Sequence, residues 1–263
     1  MKRFVNISFA LLLFLPACAQ DWAKQILEKS PRHQEWVDVK HDNRTVHAFI
    51  VYPEVKAKAP AVIVIHEIFG LTDWARSEAD DLAAAGYIAI APDLLSGFGP
   101  NGSGTSGFAG NQDAMKAVSG LDSDVVTADL NAVADYVKKL PASNGKLAVA
   151  GFCWGGGQSF RFATNRKDLN AAFVFYGPPP KDVASITAPV YGFYAGNDSR
   201  IGATIPATTD TMKQAGKKYD PVTYEGAGHG FMRAGEDPGD SNPANKKARE
   251  EAWERWKSLL KSM

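Results

Sequence analysis

The stretch AVAGFCWGGGQS, residues 148–159, joins an apolar run to a turn that holds a lone cysteine and three consecutive glycines. The run has the composition of a buried strand, and residues 155–164 have helical periodicity. Gly151 and Gly155 flank Cys153 two positions away on either side, where a sharp strand-to-helix turn leaves no room for side chains. This spacing matches a nucleophile elbow, G-x-S-x-G, with cysteine in place of serine. The positive end of the following helix favours a thiolate, so a nucleophile is favoured over the alternative of a small core residue.

Further apolar runs surround this turn along the chain. Residues 36–52 alternate apolar and polar side chains around a turn at 41–43, which predicts an antiparallel hairpin. Runs of strand length lie at residues 59–67, 87–93, 146–152, 171–177, 188–196 and 221–226, and segments of helical period lie at residues 73–85, 122–140, 155–164, 204–215 and 243–260, with Asp73 and Asp122 as N-caps. The alternation predicts an α/β fold with a mostly parallel central sheet, helices on both faces and a leading antiparallel hairpin. Ligands bind such sheets at the carboxyl ends of the strands.

A glycine-rich segment, residues 96–112, interrupts this alternation. It has no period and is predicted to be a long loop inside the domain. Such loops serve as lids or binding loops more often than as spacers, and both alternatives stay open.

Two polar residues follow later strands in the order that an elbow requires. Asp198 comes just after the run 188–196, and His229 comes just after the run 221–226. Each alone could be a turn cap or an ordinary loop residue. Because the carboxyl ends of parallel strands meet at one edge, the order Cys153, Asp198, His229 predicts a catalytic triad.

The chemistry assigns a role to each member of this triad. His229 accepts the thiol proton and later activates water, and Asp198 holds the imidazole in the required tautomer. The oxyanion needs two fixed N–H donors: one from the residue after the nucleophile, Trp154, and one from the loop after an earlier strand, Ile68.

The combination of VIVIHEIFGL, APDLL, GFCWGGG, YAGNDSR and GAGHGFMR resembles the dienelactone hydrolase family of α/β-hydrolases, from Trp36 to the last helix. The resemblance implies an α/β-hydrolase fold and the same triad of Cys153, Asp198 and His229. It also implies that Glu67 contacts the nucleophile, keeps it protonated at rest and releases it when substrate enters. On the residues alone, Glu67 reads as a helix or turn cap.

The resemblance also implies how substrate is held. Family members that open dienelactone grip its carboxylate with two arginines; Arg233 matches one, whereas Leu95-Ser96-Gly97 stands where the other belongs. A carboxylated dienelactone is therefore not favoured as the natural substrate, and Arg233 could equally be a pocket wall or a surface ion pair. Phe69 and Phe231 are predicted to shape the substrate pocket, with core packing as the alternative.

The first residues of the chain predict export. Lys2 and Arg3 precede an apolar stretch that is too short to span a bilayer, which is typical of a signal peptide over residues 1–19, with the hydrolase-like domain over 20–263. Cleavage after Ala19 is favoured over lipidation at Cys18, and either predicts a periplasmic or secreted protein.

The charge of the chain without its leader limits the kinds of partner that it could bind. Removing the leader takes two from the 29 basic residues and none from the 29 acidic ones, so the mature chain is slightly acidic. Its one basic patch, Lys246, Lys247 and Arg249, is read as a solvated helix face; we expect no nucleic-acid partner, no membrane span and a monomer.

No metal or organic cofactor is expected, because His66-Glu67 lacks the second histidine of a zinc helix motif and no glycine fingerprint for nucleotides follows a strand. The sequence thus predicts an exported hydrolase of small esters or lactones that works through an acyl-thioester. The alternatives are a small-molecule binding protein on the same fold and a thiol-based peroxide-reducing protein.

Overall fold

The computed structural model describes residues 21–263, so the predicted signal peptide lies outside the described residues. Within this range eight strands form one sheet in the order β1-β2-β4-β3-β5-β6-β7-β8. The strands are β1 Gln34–His41, β2 Arg44–Val51, β3 Ala59–Ile65, β4 Ile88–Pro92, β5 Ser143–Phe152, β6 Ala171–Phe175, β7 Val190–Ala195 and β8 Tyr219–Tyr224. The pairs β1–β2 and β2–β4 are antiparallel, and the remaining pairs are parallel. The predicted fold class is confirmed, including the leading hairpin.

Helices cover both faces of this sheet. They are α1 Asp21–Lys29, α2 Asp73–Ala84, α3 Asn111–Ser119, α4 Ser123–Lys139, α5 Trp154–Asn165, α6 Ser199–Gly202, α7 Ile205–Gln214, α8 Phe231–Ala234 and α9 Pro243–Lys261. Helices α1, α2, α8 and α9 pack on one apolar layer, and α4, α5 and α7 pack on the other. None of these helices, all within residues 21–263, has the length and hydropathy needed to cross a membrane.

The start of α2 corrects one predicted cap. The hydroxyl of Thr72, not the Asp73 carboxylate, accepts the hydrogen bond from Ala75 N, at 3.4 Å. Asp73 instead lies in the first turn, where its charge is favourable at the positive helix end. Asp122 caps α4 as predicted, because its Oδ1 accepts from Asp124 N at 2.7 Å.

The glycine-rich segment is more ordered than its composition suggests. It contains two short 3₁₀ helices, Pro100–Gly102 and Thr105–Gly107, before α3 begins at Asn111. Thr105 anchors it, because its N and its Oγ1 each donate to the buried carboxylate of Asp93 at 2.7 Å. The same hydroxyl accepts from Leu71 N at 2.9 Å, so Thr105 ties the segment to the loop that follows β3.

Replacing Thr105 with valine should therefore destabilise the protein. The change keeps the shape of the side chain but leaves the Leu71 N–H without its acceptor and removes one donor from a buried carboxylate, which costs about 2 kcal/mol. Urea titration measures this loss in the free energy of unfolding. Ser106→Ala, which removes a hydroxyl from an exposed residue of the same segment, is the matched control and should change the free energy by less than about 0.5 kcal/mol. Equal effects of the two changes would show that Thr105 does not anchor the segment.

Candidate active site

The turn between β5 and α5 holds Cys153 in a strained conformation. Its φ is 56° and its ψ is −116°, a region that residues with a side chain rarely adopt. The backbone N–H of Cys153 donates to Phe175 O on β6 at 3.0 Å, which fixes the turn to the neighbouring strand. The thiol is half-buried at the N-terminus of α5. Strain at this position is what an elbow requires, because it lifts the side chain clear of the sheet edge.

The close packing of this turn explains its glycines. A Cβ on Gly155 would overlap the carbonyl oxygens of Ile65 and His66 at the end of β3. A Cβ on Gly151 would overlap the Gly155 backbone across the turn. Strand β5, helix α5 and the end of β3 are therefore in backbone contact, which fixes the place of Cys153.

Asp198 and His229 lie together at the same edge of the sheet. Asp198 follows β7, and its Oδ2 accepts from His229 Nδ1 at 2.5 Å while its Oδ1 caps α6 by accepting from Ile201 N at 3.2 Å. The loop of His229 follows β8 and is fixed from α9, because Gly228 N donates to Asn245 Oδ1 at 2.8 Å. The carboxylate thus fixes the imidazole tautomer that leaves Nε2 free.

The surroundings of His229 favour its charged form. Burial of the ring opposes the charge, but the Cys153 side chain and the Asp198 carboxylate face the ring and outweigh it, raising the pKa of His229 to about 9. The structure thus brings together the three side chains of the predicted triad.

The pKa of His229 provides a direct test of this arrangement. We expect an NMR titration of the imidazole to give a midpoint near 9, and Cys153→Ala to lower it, because the cysteine side chain makes the largest contribution that raises this pKa. An unchanged midpoint in Cys153→Ala would show that the thiol does not act on the ring.

The same pKa predicts a pH dependence of stability. Because the folded pKa lies above the ordinary value of 6.5, the stabilisation from His229 is complete below about pH 6.5 and is lost as the pH rises through about 9. In the wild-type protein, the free energy of unfolding, measured by urea titration across this pH range, should therefore contain a contribution from His229 that falls as the pH rises. This pH-dependent contribution should be absent in His229→Gln. His33→Gln, at an exposed position, is the control and should follow the wild-type profile.

The loop after β3 carries Ile68, which is predicted to be an oxyanion donor together with Trp154. In the described part of the chain, neither the Ile68 N–H nor the Trp154 N–H donates to a protein acceptor. The Trp154 ring stacks on His66, with centroids 5.5 Å apart and an interplanar angle of 14°. His66 is fully buried, and its Nδ1 donates to Glu67 O at 2.7 Å. Burial lowers the pKa of His66, so a neutral imidazole supports the Trp154 ring.

Glu67 is paired with Arg233. Arg233 Nε donates to Glu67 Oε2 at 2.8 Å, and the Arg233 guanidinium carbon lies 5.4 Å from the centroid of the half-buried Phe69 ring. Burial raises the pKa of Glu67, although Arg233 and His229 oppose the shift. The arginine predicted to grip a substrate carboxylate is therefore engaged by a carboxylate of the protein.

Two aromatic residues differ from the sequence-based expectation. Phe231, predicted to shape the substrate pocket, is fully buried and packs on Tyr176 and Tyr224, so that prediction is wrong; the residue belongs to the core under α8.

Tyr176 was missed: it follows β6 with a φ of 41°, and its ring packs edge-on against His229, with the ring centroids 5.1 Å apart. Burial, with the charge of Glu67 beside it, raises the pKa of Tyr176 well above its usual value. The sequence feature that could have identified Tyr176 as a site residue is its position directly after a buried strand.

The fold, with an elbow after its central parallel strand, defines an α/β-hydrolase. The model of the dienelactone hydrolase family matches residues 46–263, and the chain belongs to that family. This confirms the resemblance seen in the sequence.

Individual relatives agree with this assignment. The chain is 35% identical over 190 residues to a protein of Salmonella typhi assigned as a carboxymethylenebutenolidase, covering 65% of this chain and 67% of that protein. It is 31% identical over 252 residues to a protein with the same assignment from Saccharolobus solfataricus, covering 84% and 95%. A crystal structure assigned as a dienelactone hydrolase from Klebsiella pneumoniae superposes with a TM-score of 0.75 at 25% identity, covering 88% of this chain and 99% of that one. The protein is therefore a hydrolase of the dienelactone hydrolase type.

Proposed function

We propose that the protein hydrolyses small esters or lactones with Cys153 as its nucleophile. The observation that carries this proposal is the imidazole of His229, which Asp198 holds on one side and which faces the Cys153 side chain on the other. A strained cysteine at a helix N-terminus, beside an oriented base, is the arrangement that acyl transfer to sulfur requires.

The reaction follows from this arrangement in two steps. His229 takes the proton of the Cys153 thiol, the sulfur attacks the ester carbonyl carbon, and the N–H groups of Ile68 and Trp154 hold the resulting oxyanion. The carbon–oxygen bond to the leaving group breaks, and His229 donates a proton to that oxygen, which leaves an acyl-thioester on Cys153. His229 then takes a proton from water, and the hydroxide attacks the thioester carbonyl carbon. The carbon–sulfur bond breaks, the acid is released, and His229 returns its proton to the sulfur, which restores the thiol.

Glu67 and Arg233 belong to the same proposal as groups that control the nucleophile and hold substrate. Their ion pair leaves the arginine partly neutralised, so a substrate carboxylate must compete with Glu67 for it. This supports a neutral ester or lactone over an anionic one. Phe69, which lies against the Arg233 guanidinium, is then a wall of the substrate site.

The test is steady-state hydrolysis of a panel of short acyl esters, simple lactones and dienelactone, with intact-mass detection of the acyl adduct. We expect turnover on at least one neutral substrate and a transient mass increase equal to the acyl group. Binding without turnover would favour the binding-protein alternative, and consumption of peroxide without ester turnover would favour the peroxide-reducing alternative.

We also propose that this hydrolase works outside the cytoplasm, as the leader over residues 1–19 suggests. Mass spectrometry of the N-terminus of protein recovered from the native host tests this. A chain that begins at Gln20 supports simple cleavage, and a lipid-modified Cys18 supports anchoring. An intact Met1 in the mature protein would contradict export by this route.

A further inference from the structure

His66 is a fully buried residue that takes no part in the steps derived above. It directly follows β3, and its Nδ1 donates to Glu67 O at 2.7 Å. Because a carbonyl oxygen only accepts, the hydrogen of the neutral ring lies on Nδ1, and Nε2 is left as an acceptor. Within residues 21–263, Nε2 has no hydrogen-bond partner. The core therefore holds an imidazole with one nitrogen engaged and the other unpaired.

The packing of the core does not by itself require histidine at this position. A buried nitrogen without a partner has given up its hydrogen bonds to water, which costs free energy. A phenyl ring presents a similar flat face and avoids that cost. The imidazole differs from it in having the Nδ1–H donor, so the reason for histidine lies in that hydrogen bond.

The Nδ1 hydrogen bond fixes the peptide group that bears one of the two predicted oxyanion donors. The C=O of Glu67 and the N–H of Ile68 belong to the same planar peptide group, so they point in opposite directions. Gly70 N also donates to Glu67 O, at 3.2 Å. Because the imidazole and this turn both hold the carbonyl, the direction of the Ile68 N–H is set. Rotation of the peptide group would break the bond to His66.

The face of the same ring supports the residue that bears the other donor. The imidazole stacks on the Trp154 indole, with the ring centroids 5.5 Å apart and the planes 14° from parallel. Trp154 is the first residue of α5, and a Cβ on the next residue, Gly155, would overlap His66 O. The ring and the backbone of His66 thus both contact the first turn of α5. These contacts hold the Trp154 N–H in place relative to the end of β3.

We propose that His66 is a positioning residue that aligns both N–H donors of the oxyanion hole through one imidazole ring. The edge of the ring holds the peptide group between Glu67 and Ile68, and its face holds Trp154. The side chains of Ile68 and Trp154 also pack in one apolar cluster, so the two donors are neighbours. The inference rests on the proposed function, in which these N–H groups hold the oxyanion. Since that charge develops only as the reaction proceeds, loss of His66 should lower kcat and leave KM nearly unchanged.

Two substitutions separate the edge of the ring from its face. His66→Phe keeps a flat ring for Trp154 but removes the donor to Glu67 O. His66→Asn keeps an N–H donor near the place of Nδ1 but removes the ring. We expect each to lower kcat for the best ester of the panel by about tenfold, with KM within about threefold of wild type. His66→Ala loses both contacts and should lower kcat by at least about 100-fold, so the other two variants each recover part of its loss.

Tyr194→Phe is the matched control for these variants. It also removes one hydrogen bond from a buried ring, the contact between the Tyr194 and Tyr219 hydroxyls at 2.7 Å, but that bond joins β7 to β8. This variant should keep kcat within about twofold of wild type. Thermal unfolding of every variant, monitored by circular dichroism, checks that the fold is retained. An equal loss of kcat in Tyr194→Phe and His66→Phe would overturn the proposal, because a general loosening of the core would explain both.

Infrared spectroscopy of the acyl-enzyme gives a readout that packing alone would not change. The ester 4-nitrophenyl trans-cinnamate with a ¹³C-labelled carbonyl places a labelled thioester on Cys153. Hydrogen bonds from Ile68 and Trp154 should lower its C=O stretching frequency relative to the free thioester. The frequency should return towards the free value in His66→Phe and keep the wild-type value in Tyr194→Phe. An unchanged frequency in His66→Phe would overturn the proposal even if kcat fell.

The outcomes distinguish this inference from the proposed function. If the wild-type protein hydrolyses esters through Cys153 but His66→Phe keeps kcat within twofold, or changes KM instead of kcat, the inference fails alone. If the wild-type protein neither turns over an ester nor forms the adduct, the proposed function fails and the inference fails with it.

Discussion

Replacing Cys153 with alanine is expected to lower kcat for ester hydrolysis by at least about 10⁴-fold, because the proposed nucleophile is lost. KM should change little, since the substrate contacts remain. Steady-state kinetics on the best substrate of the panel measures the change. The transient acyl adduct in the intact-mass spectrum should disappear together with the activity.

The control for this change lies one turn further along the same helix. Gln158 is half-buried on α5 and has no part in the proposed chemistry. Gln158→Ala should keep kcat within about twofold of wild type. If Cys153→Ala kept more than a tenth of the wild-type kcat, covalent catalysis at this residue would be excluded.

Replacing Gly155 with alanine is expected to lower the free energy of unfolding by about 3 kcal/mol or more. The added methyl group would overlap the carbonyl oxygens of Ile65 and His66, which are backbone atoms that a rotamer change cannot move. Relief requires α5 to shift away from the end of β3, and such a shift displaces Cys153 and Trp154 as well. Urea titration measures the stability, and kcat should fall with it.

Gly202→Ala is the matched control, and we expect it to raise the free energy of unfolding where Gly155→Ala lowers it. Gly202 ends α6, and a Cβ there would meet nothing within 4 Å. Because alanine restricts the unfolded chain, this change should stabilise the protein by about 0.5 kcal/mol. A destabilisation by Gly155→Ala as small as 1 kcal/mol would mean that β3 and α5 are not held in backbone contact.

Most of the sheet could be predicted because its signals are local. Buried parallel strands are continuous apolar runs, and their edges carry Cys153, Asp198 and His229 in chain order. The glycines of the elbow mark the sharp turn in the same direct way. Helices α1 and α3 were missed, although in α1 the buried residues Ala23 and Leu27 have the spacing of one helix face.

What could not be predicted depends on contacts between distant parts of the chain. Glu67 and Arg233 are 166 residues apart, and no local pattern indicates their ion pair. The burial of Phe231 likewise depends on Tyr176, just after β6, and on Tyr224, at the end of β8. A phenylalanine beside a candidate catalytic histidine fits a substrate wall or a core position equally well until the packing is known.

Strands β5, β6, β7 and β8 follow one another outward from the centre of the sheet to its edge. This order determines when the predicted triad is assembled during folding and when it is lost on unfolding. As the chain is synthesised, Cys153 emerges first, just after β5; Asp198 follows after β7, and His229 comes last of the three, after the edge strand β8. The predicted triad is therefore complete only when β8 has docked on β7 and α9 holds the His229 loop. Local opening begins where few buried contacts hold the chain, and within β8 only Tyr224 is buried. Gentle warming should consequently switch off the enzyme while the centre of the sheet is still intact.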